Sequence, residues 1–179
     1  PEINSGPTLN EFMAGLDVVG YNYVARWGER AWKYYSLDRD AFPQRVMIGS
    51  ENPSIPGIRG DYRLAGAGPR RWMGPYVSRM FAAELLWKFT RDHDYVAGDF
   101  MWTGLDHLGE ALWPHKSSCS GVIDMCGFPK DGYYFYQSQW TSAPMIHLLP
   151  HWTWPGHEGE VIPVVCYTNC ETAELFVNG

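Results

Sequence analysis

The stretch RVMIGSENPS, residues 45–54, holds the first residue types that could do chemistry. Val46 to Gly49 is a short apolar run that asks for burial, and Ser50 and Glu51 follow it directly with a hydroxyl and a carboxylate. Asn52 and Pro53 then stop any regular element. A second stretch, YVAGDFMWTGLDHLGE at 95–110, supplies Asp99, Trp102, Asp106 and Glu110. A carboxylate beside a large indole suits glycoside chemistry. The apolar face of a sugar stacks on the ring while the carboxylate attacks or stabilises the anomeric carbon. The same pattern suits a Glu51 that caps the next loop and a Trp102 that fills a core, and spacing alone leaves both open.

Other candidate groups read as structural. Cys119, Cys126, Cys166 and Cys170 fit no zinc spacing and read as unpaired thiols, Cys166 and Cys170 within one expected strand. His147 and His151 lie four apart, but Pro150 between them breaks any helix that would align them, so they read as non-ligands. Arg59, Arg63, Arg70 and Arg71 fall in or near a long loop after Glu51. They read as solvated charges, with contact to an acidic sugar or a neighbouring domain as the alternative. His107 reads as a surface residue.

The elements that must position these groups follow from the apolar pattern. LDVVGYNYV (16–24), VMIG (46–49) and YVAGDFMWTG (95–104) are continuous apolar runs of the kind buried on both faces of a parallel sheet. Between the last two, Val77, Phe81, Leu85 and Phe89 recur every four residues and predict a helix over 75–92. Shorter helices are expected over 9–14, at the start of 29–40 and within 128–140. Strand, helix, strand argues βα units. Residues 147–159, broken by prolines and glycines, read as a domain junction, and VIPVVCYT and AELFVNG beyond it as an antiparallel hairpin.

The 179 residues are 45% hydrophobic, 19% charged and 16% aromatic, with nine Trp and eleven Tyr, which excludes a disordered chain and suits an aromatic-lined surface. A net charge of −6 without a basic cluster disfavours nucleic acid. No apolar run approaches the roughly 20 residues that span a bilayer. No N-terminal signal pattern is visible.

Five stretches taken together carry a resemblance: DVVGYNY (17–23), MIGSE (47–51), YVAGDFMWTGLDHLGE (95–110), GVIDMCGFPKDGYYFYQSQW (121–140) and HLLPHWTWPGHEGEVIPVVCYTNCETAELFVNG (147–179). They resemble the C-terminal part of glycoside hydrolase family 2, in particular its β-galactosidase-like members. The resemblance implies an α/β fold. Residues 1–145 would form strands six to eight of a (β/α)8 TIM barrel, and residues 146–179 the first strands of an immunoglobulin-like β-sandwich.

The resemblance also implies a retaining exo-β-glycosidase, a β-galactosidase first, with β-glucuronidase or β-mannosidase as the alternative within the family. Glu51 would be the nucleophile and Tyr23 the residue that orients it, with Tyr21 as runner-up. Asn22 and Trp102 would bind the sugar, Trp102 as its floor. Asp106 and Glu110 would contact sugar or ion, or serve as loop structure. Asp99 stands where many relatives carry Glu. The acid/base, a Glu after Asn at the end of strand four, is expected before this chain begins, so the chain alone is expected to be inactive. Asn10-Glu11 does not follow a strand and is not that pair.

No organic or redox cofactor is implied. Some members bind Mg2+ or Na+, with no ligands assignable here. The implied partner is a β-galactoside-type carbohydrate, with a homo-oligomer left open and a periplasmic or secreted location favoured. From another class, a noncatalytic carbohydrate-binding fragment would use Trp102, Trp113, Trp152 and Trp154 as stacking surfaces.

Overall fold

The structure is a computed structural model that describes residues 11–24, 34–62, 75–111, 113 and 116–179. Arg63, Arg70 and Arg71 of the long loop lie outside the described residues, as does Asn10. The chain divides into two compact units, residues 1–55 with 79–103, and residues 56–78 with 104–179.

In the first unit a short helix, α1 (Glu11–Ala14), precedes β1 (Val18–Asn22), α2 (Tyr34–Ala41), β2 (Val46–Glu51), α3 (Pro75–Asp92, in this unit from Arg79 onward) and β3 (Val96–Asp99). The three strands are parallel in the order β1-β2-β3, so β2 is the middle strand. The long helix occupies the range its four-residue apolar repeat predicts. A helix runs from Tyr34 to Ala41, and the expected helical start near Glu29 lies outside the described residues, as do residues 25–33 as a whole.

Burial alternates along the strands, contrary to the expectation of two covered faces. In β1, Val19 and Tyr21 are buried, whereas Val18, Gly20 and Asn22 are exposed. Val46 of β2 is 47% exposed beside a fully buried Met47. The reason is one-sided packing. Val19, Tyr21, Val24, Tyr35, Met47, Leu86 and Val96 form one cluster, which draws its residues from all three strands and from α2 and α3. Burying a side chain such as Met47 contributes about 1.5–3 kcal/mol. Within the cluster the Tyr21 and Tyr35 rings meet edge to face at 5.3 Å, and Tyr35 stacks on Phe89 at 5.9 Å.

The second unit holds α4 (Asp131–Trp140), β4 (Ile146–Leu149) and β5 (Val165–Thr168). Asp131 sits in the first turn of α4, where a carboxylate faces the positive end of the helix dipole. The expected hairpin of VIPVVCYT with AELFVNG is not formed. Strand β5 pairs antiparallel with β4 in the register Ile146↔Thr168 to Leu149↔Val165, and residues 173–179 are exposed and form no strand. The Asn169 side chain supports the pairing that is made. It donates to the carbonyls of Thr141 and Ala143 at 3.0 and 2.7 Å and accepts from the Met145 N–H at 2.9 Å, which pins the end of β5 to the start of β4. Strand β5 ends at Thr168, so Cys170 lies beyond the strand that was expected to hold both it and Cys166.

Candidate functional site

Because β1 to β3 are parallel, their C-terminal ends lie along one edge of the sheet. Strand β1 brings Asn22 and Tyr23 there, β2 brings Glu51, and the chain leaving β3 brings Trp102. The register puts Asn22 opposite Glu51. Glu51 is half-buried, as are Tyr23 and Trp102, while Asn22 is exposed.

A bulge decides how Glu51 is presented. Tyr21 pairs with Gly49 but Asn22 pairs with Glu51, so Ser50 is an extra residue without a register partner. Simple alternation would set Glu51 on the same face as the buried Met47 and Gly49. The bulge breaks that alternation immediately before Glu51 and re-aims the strand end. The Ser50 hydroxyl donates to Asn22 Oδ1 at 2.6 Å and ties the bulge to β1.

The backbone around Glu51 is fixed on both sides. Tyr23 N–H donates to the Glu51 carbonyl at 2.9 Å, Phe100 N–H to the Gly49 carbonyl at 2.7 Å, and Asn52 N–H to the Phe100 carbonyl at 2.6 Å. Trp102 N–H donates to the Pro53 carbonyl at 3.1 Å, and Trp102 bridges in parallel with Ser54. The tie between Tyr23 and Glu51 is therefore made through the main chain. The Glu51 carboxylate forms no hydrogen bond or ion pair among the described residues, so the expected bond from the Tyr23 phenol is not formed in this structure.

Tyr21, the runner-up, faces the helices instead. Its hydroxyl donates to Asp38 Oδ2 at 2.6 Å, and Arg45 reaches the same carboxylate oxygen at 2.9 Å. Burial and the bond to Asp38 push the Tyr21 phenol well above its ordinary pKa. Asp99 likewise lies in the helix-side network. It accepts from Tyr35 at 3.0 Å and Asn52 at 3.3 Å, and from Thr90. Burial raises the Asp99 carboxyl, against the pull of those three donors.

Two buried polar residues, one in each unit, escaped sequence reasoning. Asn52 looked like a strand terminator, yet it is only 1% exposed and bonds β1, α2 and β3 together. Lys130 is its counterpart in the second unit. It is 2% exposed, and its ammonium donates to Asp106 Oδ1 at 2.7 Å and to the carbonyls of Gly57 and Cys119 at 2.8 and 3.1 Å. The only signal for either was a polar residue next to a breaker, which most loops share.

Asp106 and Glu110 belong to the second unit. Asp106 Oδ1 accepts from both Lys130 and the Gly121 N–H, at 2.7 and 2.8 Å, which commits that oxygen to holding the loop. Glu110 is exposed, with φ of 48°, and its carboxylate lies 3.6 Å from His107 Nε2. Arg59 donates to Asp124 at 2.8 Å and holds that carboxyl below its ordinary pKa, and its guanidinium lies over the Phe128 ring. These loops line an open cavity of about 260 Å³ that includes Arg59, Asp106, Lys116, Cys119, Asp124 and Lys130. Trp113 and Trp152 are exposed, and Trp154 is half-buried with its indole N–H on the His151 carbonyl at 2.8 Å. All four cysteines are free thiols. Among the described residues no cluster of three or more His, Cys, Asp or Glu could hold a metal, and no helix is long and apolar enough to cross a membrane.

The first unit thus has the form of a parallel α/β sheet with a carboxylate at the C-terminal end of its middle strand and an indole at the next strand end. That is where parallel β/α folds build their sites. The chain is similar to known proteins. A β-galactosidase of Bacteroides ovatus, BoGH2A, is 39% identical over 202 residues, covering 99% of this chain and 22% of the relative. A β-glucuronidase of Formosa agariphila is 25% identical over 160 residues, covering 74% of this chain and 16% of the relative. The crystal structure of a β-glycosidase from Bacteroides vulgatus superposes with a TM-score of 0.70 at 33% identity, covering 87% of this chain and 24% of that one. The model of a domain of unknown function, DUF4982, matches residues 159–179. The chain belongs to glycoside hydrolase family 2. It spans about a fifth of the length of the β-galactosidase it matches.

Proposed function

We propose that the whole protein is a retaining exo-β-glycosidase, with a terminal β-galactoside as substrate, and that Glu51 is its nucleophile. One observation carries the reading: the bulge at Ser50 takes Glu51 out of the alternation that buries Met47 and Gly49, at the end of the middle strand and beside Asn22. In this reading β1, β2 and β3 are strands six, seven and eight of a (β/α)8 barrel within residues 1–145. Residues 146–179 open an immunoglobulin-like sandwich. Asn22 and Trp102 contact the sugar, and Tyr23 orients Glu51 once substrate fills the site.

Glu51 attacks the anomeric carbon, the aglycone leaves with its oxygen, and a covalent glycosyl ester forms. Water then releases the sugar with net retention. The reaction needs a second carboxylic acid about 5–5.5 Å from the first to protonate the leaving oxygen and then activate water. The reading assigns that role to no residue of this chain and takes the group from the rest of the whole protein.

Treating the whole protein with a dinitrophenyl 2-deoxy-2-fluoro-β-galactoside tests the assignment. The activated leaving group needs little acid help, so an ester should accumulate on Glu51 and appear in intact-mass and peptide-mapping spectra. A stable ester on another carboxylate would remove Glu51 from the role. Labelling by the corresponding glucuronide alone would favour a β-glucuronidase, the second reading, for which the Formosa agariphila relative speaks.

A further inference from the structure

The Asn52 side chain is buried as deeply as the core around it, yet it is an amide one position beyond Glu51. Its Oδ1 accepts the Val24 N–H at 2.8 Å and its Nδ2 donates to the Tyr21 carbonyl at 2.9 Å. Those two groups bracket Tyr23, whose φ of 50° is a left-handed conformation that costs a non-glycine residue energy unless its surroundings hold it. Tyr23 in turn gives its N–H to the Glu51 carbonyl at 2.9 Å. The circuit closes on itself: Asn52 holds the turn, the turn holds Glu51, and Glu51 is bonded to Asn52 through the chain. On its other side the Asn52 amide reaches Asp99 Oδ1 at 3.3 Å and the Tyr35 hydroxyl at 3.4 Å, and its own N–H rests on the Phe100 carbonyl.

The work asked of residue 52 is one acceptor and two donors on a single planar group, in a site closed to bulk water. Asparagine meets it at this length. Aspartate has the shape but no donors, and it would set a second carboxyl against Asp99.

We propose that Asn52 is a positioning residue for Glu51, holding the strand end so that the Glu51 carboxylate meets the anomeric carbon in one orientation. The proposal rests on Glu51 being the nucleophile. It predicts a larger effect on the bond-making step than on sugar affinity, since Asn52 holds the strand end around Glu51 and reaches the sugar contact Asn22 only through the main chain on either side of it.

The test uses the whole protein and whichever 2-fluoro trap, galactosyl or glucuronyl, labels the wild type. For Asn52→Asp at neutral pH the trapping rate per folded molecule should fall about 100-fold, as expected for a reacting group displaced by about 1 Å, with the inhibitor's affinity changed by no more than about threefold. The adduct should remain on Glu51. The deficit should shrink as pH falls, because the introduced carboxyl regains a donor once it is protonated. Tyr35→Phe removes one hydroxyl of the cluster, keeps its ring packing, and serves if the first variant does not fold. About a tenfold slower trapping at unchanged affinity is expected. A wild-type rate per folded molecule in the folded variants would overturn the proposal, as would rate and affinity falling together. A wild type that takes its label elsewhere than Glu51 would remove the nucleophile assignment and this proposal together. Wild-type labelling of Glu51 beside unimpaired variants would remove only the role of Asn52.

Discussion

Gly49 and Asp99 are neighbours that leave room for only one side chain: a Cβ built on Gly49 would lie 1.7 Å from Asp99 Oδ1 and 2.7 Å from Asn52 Nδ2. Gly49 pairs with Asp99 in the parallel register of β2 and β3, so the carboxyl and the amide fill the space a larger residue would take. Gly49→Ala should therefore cost about 3 kcal/mol, because the obstacles are buried and bonded rather than free to swing away. The check is the melting temperature of the whole protein. A variant that melts with the wild type would mean that the Asp99 carboxyl is not packed against β2.

Asp99→Asn should alter how stability depends on pH. Burial, the leading influence on Asp99, raises its carboxyl above the ordinary 3.8. Below that value the group is protonated whether the chain is folded or not, and its contribution is fully present. As pH rises past it the unfolded chain ionises first, so the folded state loses stability until the folded carboxyl ionises too, and then the loss levels off. The amide introduced by the substitution keeps an oxygen toward Tyr35 and Asn52 and offers its N–H to the Thr90 hydroxyl. The variant should thus gain on the wild type through the acid window and hold a constant lead above it. Melting curves from about pH 3.5 to 8 read this directly, and parallel curves would contradict it.

Lys130→Met should be among the most damaging single changes in the second unit. It would leave a largely buried Asp106 carboxylate with the Gly121 N–H as its remaining bond, and it would strip the Gly57 and Cys119 carbonyls of their cation. Breaking a buried ion pair from one side costs about 3–5 kcal/mol. Adding Asp106→Leu should recover part of the loss, since the stranded charge goes with it. A double-mutant cycle measures that coupling, and strict additivity would argue against the ion pair.

Glu51→Gln in the whole protein should lower kcat by several orders of magnitude, with little change in melting temperature, because the carboxylate takes up no bond among the described residues. Near-normal turnover would exclude it as nucleophile. Trp102→Ala should weaken transition-state binding by about 2–4 kcal/mol through lost stacking and packing, read as kcat/KM.

The parts of the molecule legible in the sequence were those with a local cause. The α3 helix announces itself through Phe81, Leu85 and Phe89, and the strand end at Glu51 through an apolar run that stops. What escaped depends on partners far along the chain. Asn52 becomes a hub only because Val24, Tyr35 and Asp99 converge on it, at separations of 28, 17 and 47 residues. Lys130 is buried through Gly57, 73 residues away. The partner that β5 takes is not visible locally, because residues 173–177 match it by composition, whereas the Asn169 amide that fastens β5 to β4 acts across 24 to 28 residues. The strands were expected to be covered twice because continuous apolarity says nothing about how many layers lie over each face.

The unpaired Ser50 makes the display of Glu51 a matter of parity. An acid two places after a buried glycine is an even step away and would be hidden in a regular strand. One residue dropped from the register turns the even step into an odd one and shows the acid instead. A homologous chain that lacks both the serine and the bulge would present its acid on the same side. A chain that keeps the serine but pairs it with its neighbour would turn the acid inward, with no letter of the motif changed. Register and residue count therefore have to be read together before two such strand ends are called equivalent.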